Sequence, residues 1–123
     1  DLDAAVAFYT RVLQLELLGR EPGRHAFFRC GAGMFLLFNA ENTANLPVSI
    51  AGQPLPLHGS RGPGHVAFAL AEAEIPQWRA WLAEQGVPIE SEVDWPQGGH
   101  SIYFRDPAGN SVELVTPRIW GLD

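Results

Sequence analysis

The sequence predicts an α+β fold built from two similar βαβββ modules. Helix-like and strand-like hydrophobic periods alternate along the chain, and a stretch rich in proline and glycine separates two halves. The second half also repeats the first. A shift of 76 residues aligns Phe28 with Phe104, and a shift of 69 aligns Tyr9 with Trp78. We therefore expect two copies of one structural unit, related by an internal duplication of the sequence.

The first half carries one predicted helix and three predicted strands. Apolar residues recur every three or four positions from Asp1 to Leu13, as in an amphipathic helix. Strand-like runs follow, separated by glycine and proline, at Leu15–Arg20, His25–Cys30 and Met34–Asn39. Residues 40–63 hold four prolines and no hydrophobic period, so we interpret them as a connecting loop.

The second half, residues 64–116, is predicted to be a complete βαβββ unit followed by a tail at 117–123. A strand at His65–Leu70 precedes a helix at Glu74–Gln85, whose buried face is expected to hold Trp78, Trp81 and Leu82. Three more strands are expected near residues 89–93, 100–105 and 111–115. By the repeat, the first module (residues 1–39) lacks its leading strand in this sequence. We expect both modules to form one domain over residues 1–123.

Composition argues against several function classes. The net charge is −6 and the eight cations are scattered, which argues against a nucleic-acid partner. All eight are arginines, so Schiff-base chemistry on lysine is excluded. Cys30 is the only cysteine, which rules out an intrachain disulfide. No apolar run approaches the roughly 18 residues of a membrane span, and the acidic N-terminus is unlike a signal peptide. We expect a cytoplasmic protein with no membrane partner.

Three segments resemble the vicinal oxygen chelate superfamily, which includes glyoxalases, bleomycin-resistance proteins and extradiol dioxygenases. They are FYTRVLQLEL at residues 8–17, GHVAF at 64–68 and YFRDPAGNSVEL at 103–114. The similarity covers nearly the whole chain and departs at Gln14, where the family pattern usually has glycine. It implies that each module curls a mixed sheet into half a cup around a ligand cavity.

The resemblance also implies a metal site. Family members draw a histidine from the first strand of each module and a glutamate from the last strand of one or both. His65 and Glu113 match these positions, and they would bind a divalent ion such as Zn, Fe, Mn or Ni. Leu37 aligns with Glu113 in the first module, so a set of two His and two Glu is not intact. A third ligand would come from a strand before Asp1.

Alternation along the strands independently groups His65, Ser101, Tyr103 and Glu113 on one face. A carboxylate there is costly to bury unless a cation, hydrogen-bond donors or water meet it. A metal ion is one such partner, and hydrogen bonds from Tyr103 or an arginine are the other. In the first case we expect Glu113 and Tyr103 to be catalytic. The expected substrate-binding residues are His100, Arg105, Trp95 and Leu37.

Two of these residues have a simpler reading. His100 could lie at a solvated end of its strand, and Arg105 could brace the adjacent turn rather than pair with a substrate carboxylate. Trp95 falls in a loop, where an aromatic ring could close a pocket.

The leading hypothesis is therefore a metal-dependent enzyme that chelates a small oxygenated substrate, as a glyoxalase-like lyase or isomerase or a dioxygenase. The alternative is a metal-free protein of the bleomycin-resistance type, which binds a hydrophobic or cationic drug. A third hypothesis is a module with a decayed site that serves as a subunit or sensor. Because family members commonly pair, we expect a homodimer.

Overall fold

The computed structural model describes residues 1–121, so the last two residues of the predicted tail, Leu122 and Asp123, lie outside the described part. The chain divides into two compact units, Asp1–Gly62 and Pro63–Asp123. Each unit combines helix and sheet, which confirms the predicted α+β class. The prediction that both units form one domain stays a prediction.

The first unit begins with helix α1 (Leu2–Arg11), as its apolar period predicts. Asp1 caps this helix, because its Oδ1 accepts the backbone N–H of Asp3 at 2.9 Å. Tyr9 is buried on the inner face of the helix. Beyond the helix, Gln14 has a φ of 57°. This left-handed conformation favours glycine, which accounts for the glycine usual at this position in the resembled family.

An antiparallel sheet of three strands follows in the order β1-β2-β3. Strand β2 has the predicted bounds, and the other two are displaced by one residue; the strands are β1 (Glu16–Glu21), β2 (His25–Cys30) and β3 (Gly33–Phe38). Ala26 and Phe28 on β2 are fully buried. The ring centroid of Phe28 lies 6.2 Å from that of Tyr9, so this face of the sheet forms the core of the first unit.

The prediction of a plain loop over residues 40–63 is wrong in part. Helix α2 (Ala40–Asn45) begins at its N-cap Asn39, and a small hairpin pairs β4 (Ser49–Ile50) with β5 (Gln53–Pro54). These elements are too short to show a hydrophobic period, so the sequence revealed only their prolines and glycines.

The second unit contains the complete βαβββ module that the sequence predicts. Its four-stranded mixed sheet has the order β6-β9-β8-β7, with β6 parallel to β9 and the other pairs antiparallel. Helix α3 follows β6 and ends before Gly86, whose φ is 72°. The elements are β6 (His65–Ala69), α3 (Ile75–Glu84), β7 (Ser91–Asp94), β8 (His100–Arg105) and β9 (Ser111–Val115).

The two faces of this sheet differ in chemistry. One face, which we call the core face, carries the buried apolar side chains of Ile102, Phe104, Val112 and Leu114. The other, which we call the polar face, carries the residues that pair or alternate with Glu113: His65, Ser101, Tyr103 and Ser111. On α3, Leu82 is fully buried but Trp78 and Trp81 are only half-buried, so the expectation of two core tryptophans is wrong. Among residues 1–121, no helix is long and apolar enough to cross a membrane.

Candidate functional site

The turn between β8 and β9 positions His65, the first residue of the site. Asp106 is buried, and its carboxylate accepts both the backbone N–H and the side-chain amide of Asn110, at 2.8 and 2.9 Å. The Oδ1 of Asn110 in turn accepts the N–H of Gly64 at 2.7 Å. The carbonyl of Gly64 accepts the N–H of Ser111 at 2.9 Å. The turn therefore fixes the start of β6 against β9 and holds His65 in register with Ser111.

His65 and Glu113 meet on the polar face. The Nε2 of His65 lies 3.0 Å from the Oε1 of Glu113. The side chain of Glu113 is 9% exposed and that of His65 is 52% exposed. The two side chains that the sequence singles out as metal ligands are thus adjacent, with the carboxylate enclosed and the imidazole accessible.

Each of these two side chains is also tied to the sheet through its other polar atom. The Nδ1 of His65 lies 3.1 Å from the carbonyl oxygen of Ser111. A carbonyl only accepts, so Nδ1 carries the proton of this hydrogen bond. The Oε2 of Glu113 accepts the hydroxyl of Ser101 at 2.6 Å. One atom of each group is therefore anchored, and the second atom is directed at its neighbour.

This arrangement fits two ligands of one metal ion. With ligand bonds of about 2.1 Å, two neighbouring ligands at right angles lie roughly 3 Å apart. Ligating histidines usually donate their other ring N–H to a carbonyl or carboxylate, and ligating carboxylates are themselves hydrogen-bonded. Ser111 and Ser101 supply those partners here. Within the described residues, no three or more His, Cys, Asp or Glu side chains group as metal ligands, so the pair offers two ligands.

Tyr103 is an aromatic neighbour of this pair. It faces Glu113 in the register of β8 and β9, and its ring centroid lies 6.2 Å from that of His65. Burial is the main cause that raises the pKa of Tyr103. A hydrogen bond with Ser101 lowers the pKa, and the negative charge of Glu113 raises it further. The phenol therefore keeps its proton at neutral pH and can act as a hydrogen-bond donor.

His100 lies away from this pair. It pairs with Asp94 on β7, and its side chain lies on the same side of β8 as that of Ile102. Both ring nitrogens contact carboxylates, with Nδ1 2.7 Å from Asp94 and Nε2 2.6 Å from Glu92. Its side chain is 12% exposed, so the expectation of a solvated strand end is wrong. Burial opposes protonation, but the two carboxylates outweigh it and raise the pKa of His100.

Arg105 braces a turn, as its simpler reading predicts. Its Nη1 donates to the carbonyl of Gly109 at 3.1 Å. Its Nε and Nη2 donate to the two carboxylate oxygens of Glu90, at 2.9 and 3.0 Å. This bidentate pair lowers the pKa of Glu90, mainly through the hydrogen bonds.

Trp95 reaches the site through another residue. Its indole Nε1 donates to the hydroxyl oxygen of Ser101 at 3.0 Å, and Ser101 in turn contacts Glu113. Sequence reasoning grouped Ser101 with Tyr103 by parity but did not identify its contact with the carboxylate. A serine on the same side of β8 as Tyr103, two residues before it, was the available signal.

The strand register shows that the first-module counterpart of Glu113 is Leu36, not Leu37 as the sequence alignment predicted. In the second unit Tyr103 pairs with Glu113, whereas its first-unit counterpart Phe27 pairs with Leu36 and not with Leu37. The reason is the length of the turn. Cys30 pairs with Gly33 across two residues, but the N–H of Asp106 bonds to Asn110 across three, at 3.1 Å. The shift of 76 therefore becomes 77 beyond the turn.

Leu36 and Leu37 consequently lie on different faces. Leu36 is 45% exposed on the outer face of the first sheet. Leu37 pairs with the fully buried Ala26 on the face that forms the core. The correction does not change the chemistry, because both positions hold leucine and the first unit has no carboxylate at the position equivalent to Glu113.

The fold and the paired imidazole and carboxylate define a class of α+β proteins with two repeated modules and a candidate metal-binding pair. The family model for the Glyoxalase/Bleomycin resistance protein/Dioxygenase superfamily matches residues 1–114. The chain belongs to this superfamily.

Known relatives agree with this assignment. A lactoylglutathione lyase from Agrobacterium tumefaciens has a similar crystal structure, with a TM-score of 0.89 and 41% identity over 99% of this chain and 90% of that one. A superfamily member from Nocardioides gives a TM-score of 0.70 at 29% identity, over 94% and 76% of the two chains. Metallothiol transferase FosB of Staphylococcus saprophyticus is 30% identical over 94% of this chain and 70% of its own length.

Proposed function

We propose that the chain is a metal-dependent enzyme that acts on a small oxygenated substrate by chelation, with His65 and Glu113 as ligands of a divalent ion such as Zn, Fe, Mn or Ni. The observation that carries this proposal is the 3.0 Å separation of Nε2 and Oε1, together with the anchoring of the two opposite atoms. Such anchoring preorganises ligands before the ion arrives.

The side chains of the polar face have separate tasks in this proposal. A bound divalent ion supplies Lewis acidity toward adjacent substrate oxygens. His65 and Glu113 hold that ion, and the half-exposed imidazole leaves the site accessible from solvent. Tyr103 keeps its proton and orients a substrate oxygen through a hydrogen bond. The enclosed carboxylate of Glu113 is also the group placed to accept a proton from the substrate.

We favour a glyoxalase-like lyase among the possible reactions. The support is the 41% identity and nearly complete coverage of the lactoylglutathione lyase. Transfer of a thiol is the next candidate, because the FosB relatives are metallothiol transferases at 30% identity. Isomerisation and dioxygenation remain outcomes of a substrate test rather than proposals.

Metal-free ligand binding is the second candidate function. Two observations favour it: no group of three or more metal-ligating side chains occurs in residues 1–121, and Leu36 replaces a carboxylate in the first unit. In that case the hydroxyls of Ser101 and Tyr103 would satisfy Glu113.

Metal analysis of the purified chain tests the proposal. We expect about one divalent ion per chain after incubation with Zn, Fe, Mn or Ni, because two anchored ligands are in place. His65→Ala and Glu113→Gln should each weaken binding by about a hundredfold or more, since outer-shell changes alone cost about 10–100-fold. His58→Ala and Glu84→Gln, at exposed positions, serve as matched controls and should change nothing.

The contrary result is also informative. A parent protein that takes up no ion from any of these solutions would favour metal-free binding. Assays with lactoylglutathione, with a thiol plus an electrophile and with dioxygen consumption then separate the reaction classes. Activity with none of these in the metal-loaded protein would contradict the lyase assignment.

A further inference from the structure

Ser101 is a buried polar residue that anchors Glu113 without being one of the proposed ligands. It is 0% exposed on β8, and its hydroxyl lies 3.0 Å from the Nε1 of Trp95 and 2.6 Å from the Oε2 of Glu113, in addition to its hydrogen bond with Tyr103. An indole N–H can only donate. The Ser101 oxygen therefore accepts from Trp95, and its own proton points to Glu113.

This chain of two hydrogen bonds has a direction set by chemistry. Because Trp95 cannot accept, the proton of Ser101 is directed at another partner, and the structure places it at the Oε2 of Glu113. The 2.6 Å separation is typical of a hydroxyl that donates to a charged carboxylate oxygen. The Oε2 of Glu113 is thereby occupied, and Oε1 is the oxygen directed at His65.

The turn that carries Trp95 is built to hold it. The N–H of Trp95 donates to the carbonyl of Gly99 at 3.0 Å, and its carbonyl accepts the N–H of Gly98 at 2.9 Å. Both glycines have φ near 100°, at 102° and 101°. A Cβ at Gly99 would overlap the side chain of Ile119 and lie 2.8 Å from the hydroxyl of Thr116. Close packing therefore fixes the path of the turn.

We infer that Ser101, backed by Trp95, is a positioning residue that presents Glu113 to a metal ion through Oε1 alone. The inference rests on the proposed function. Without the serine hydroxyl, Oε2 would be buried and unpaired, and the carboxylate would rotate to share both oxygens with the ion or with His65. Ser101 thus selects one-oxygen coordination and leaves more of the ion open to substrate.

Cobalt binding tests this role, because Co²⁺ reports both affinity and coordination. Ser101→Ala should weaken Co²⁺ binding, measured by competition with a chelator, by about 10–100-fold and alter the visible absorption of the bound ion. Ser101→Thr, which retains a hydroxyl, should recover the parent spectrum. Trp95→Phe should weaken binding by about two- to tenfold, because one neutral hydrogen bond is lost. Ser91→Ala and Trp120→Phe are the matched controls at exposed positions.

The outcomes separate this inference from the proposed function. Co²⁺ affinity and absorption that are unchanged in folded Ser101→Ala would overturn the inference and leave the metal site standing. Should Ser101→Ala fail to fold, an unchanged Trp95→Phe variant would overturn it equally. A parent protein that binds no Co²⁺ would overturn both the proposed function and the inference.

Discussion

Two neighbouring leucines on β3 illustrate how strongly one position changes the environment of a side chain. Leu36 faces outward and Leu37 pairs with a fully buried alanine. A carboxylate introduced at the outward position remains hydrated. A carboxylate at the inward position, which is half-buried, loses part of its hydration against the apolar core, and this is costly.

We therefore expect unequal effects from two otherwise identical substitutions. Leu36→Glu should change the free energy of unfolding by no more than about 1 kcal/mol, whereas Leu37→Glu should lower it by about 2–4 kcal/mol. Urea denaturation of both variants measures this difference. Equal destabilisation, or a greater loss at Leu36, would contradict the register of β2 and β3.

The same scale shows what the sequence could reveal about the site. His65 and Glu113 were predictable because the family resemblance selects both positions and strand alternation allows them to share one face. The role of Ser101 was not, because it depends on an indole that a turn returns to the sheet. Burial of His100 was also missed, since its two carboxylate partners lie six and eight residues away on another strand.

At the level of elements, His100 links β8 to β7 and indirectly to α3. Its ring contacts Glu92 and Asp94 on β7, and the Nε of Arg79 on α3 donates to Glu92 at 3.0 Å. A ring that donates to two carboxylates needs a proton on both nitrogens. The three elements are thus joined by a network that requires a charged imidazole.

This network predicts a stability profile with two edges. The pKa of His100 is raised above its ordinary value of 6.5. Its contribution to the free energy of unfolding is therefore complete below pH 6.5 and is lost as the pH rises through the higher pKa of the folded state. The pKa of Glu92 is lowered from 4.5, mainly by its hydrogen bond with Arg79, so its contribution is present above 4.5 and is lost as pH falls through the lower folded value. Stability from this network should be greatest between those two ordinary values.

Urea unfolding of the parent and of His100→Gln across this range measures the effect. The parent should lose on the order of 1 kcal/mol relative to the variant as the imidazole deprotonates, because hydrogen bonds to charged groups are of that size. His58→Gln, at an exposed position, is the matched control. Parallel profiles for parent and His100→Gln would refute the link.

Elements with a clear apolar pattern between turn residues were predictable, and those without one were not. The strands at residues 25–30, 100–105 and 111–115 have the predicted bounds because glycine or proline lies within two residues of each end. Helix α2 and the β4–β5 hairpin carry too few residues for a period and depend on local capping and turn conformations.

At the scale of the whole molecule, the duplication was visible but its register was not. A shift of 69 aligns the helices and a shift of 76 aligns β2 with β8, but one additional residue in the turn after β8 breaks the second shift. Turn lengths drift between repeats because surface connections tolerate insertions. The alignment of strands beyond a turn therefore needs the hydrogen-bond register, which residue identities alone do not supply.

We also propose a homodimer, as membership of the superfamily suggests. Sedimentation equilibrium of the 13.4 kDa chain should give about twice that mass at micromolar concentration and above. A single-chain mass at every concentration would refute the dimer.

The indole of Trp95 has a practical consequence beyond its contact with Ser101. Its N–H is separated from the carboxylate of Glu113 by one hydroxyl group, so the ring lies in the electric field of that charge. Neutralising the charge with a bound cation would shift the fluorescence of the ring. With the other three tryptophans replaced, Trp78, Trp81 and Trp120, the ring would be an intrinsic optical probe that reports occupancy without an added dye.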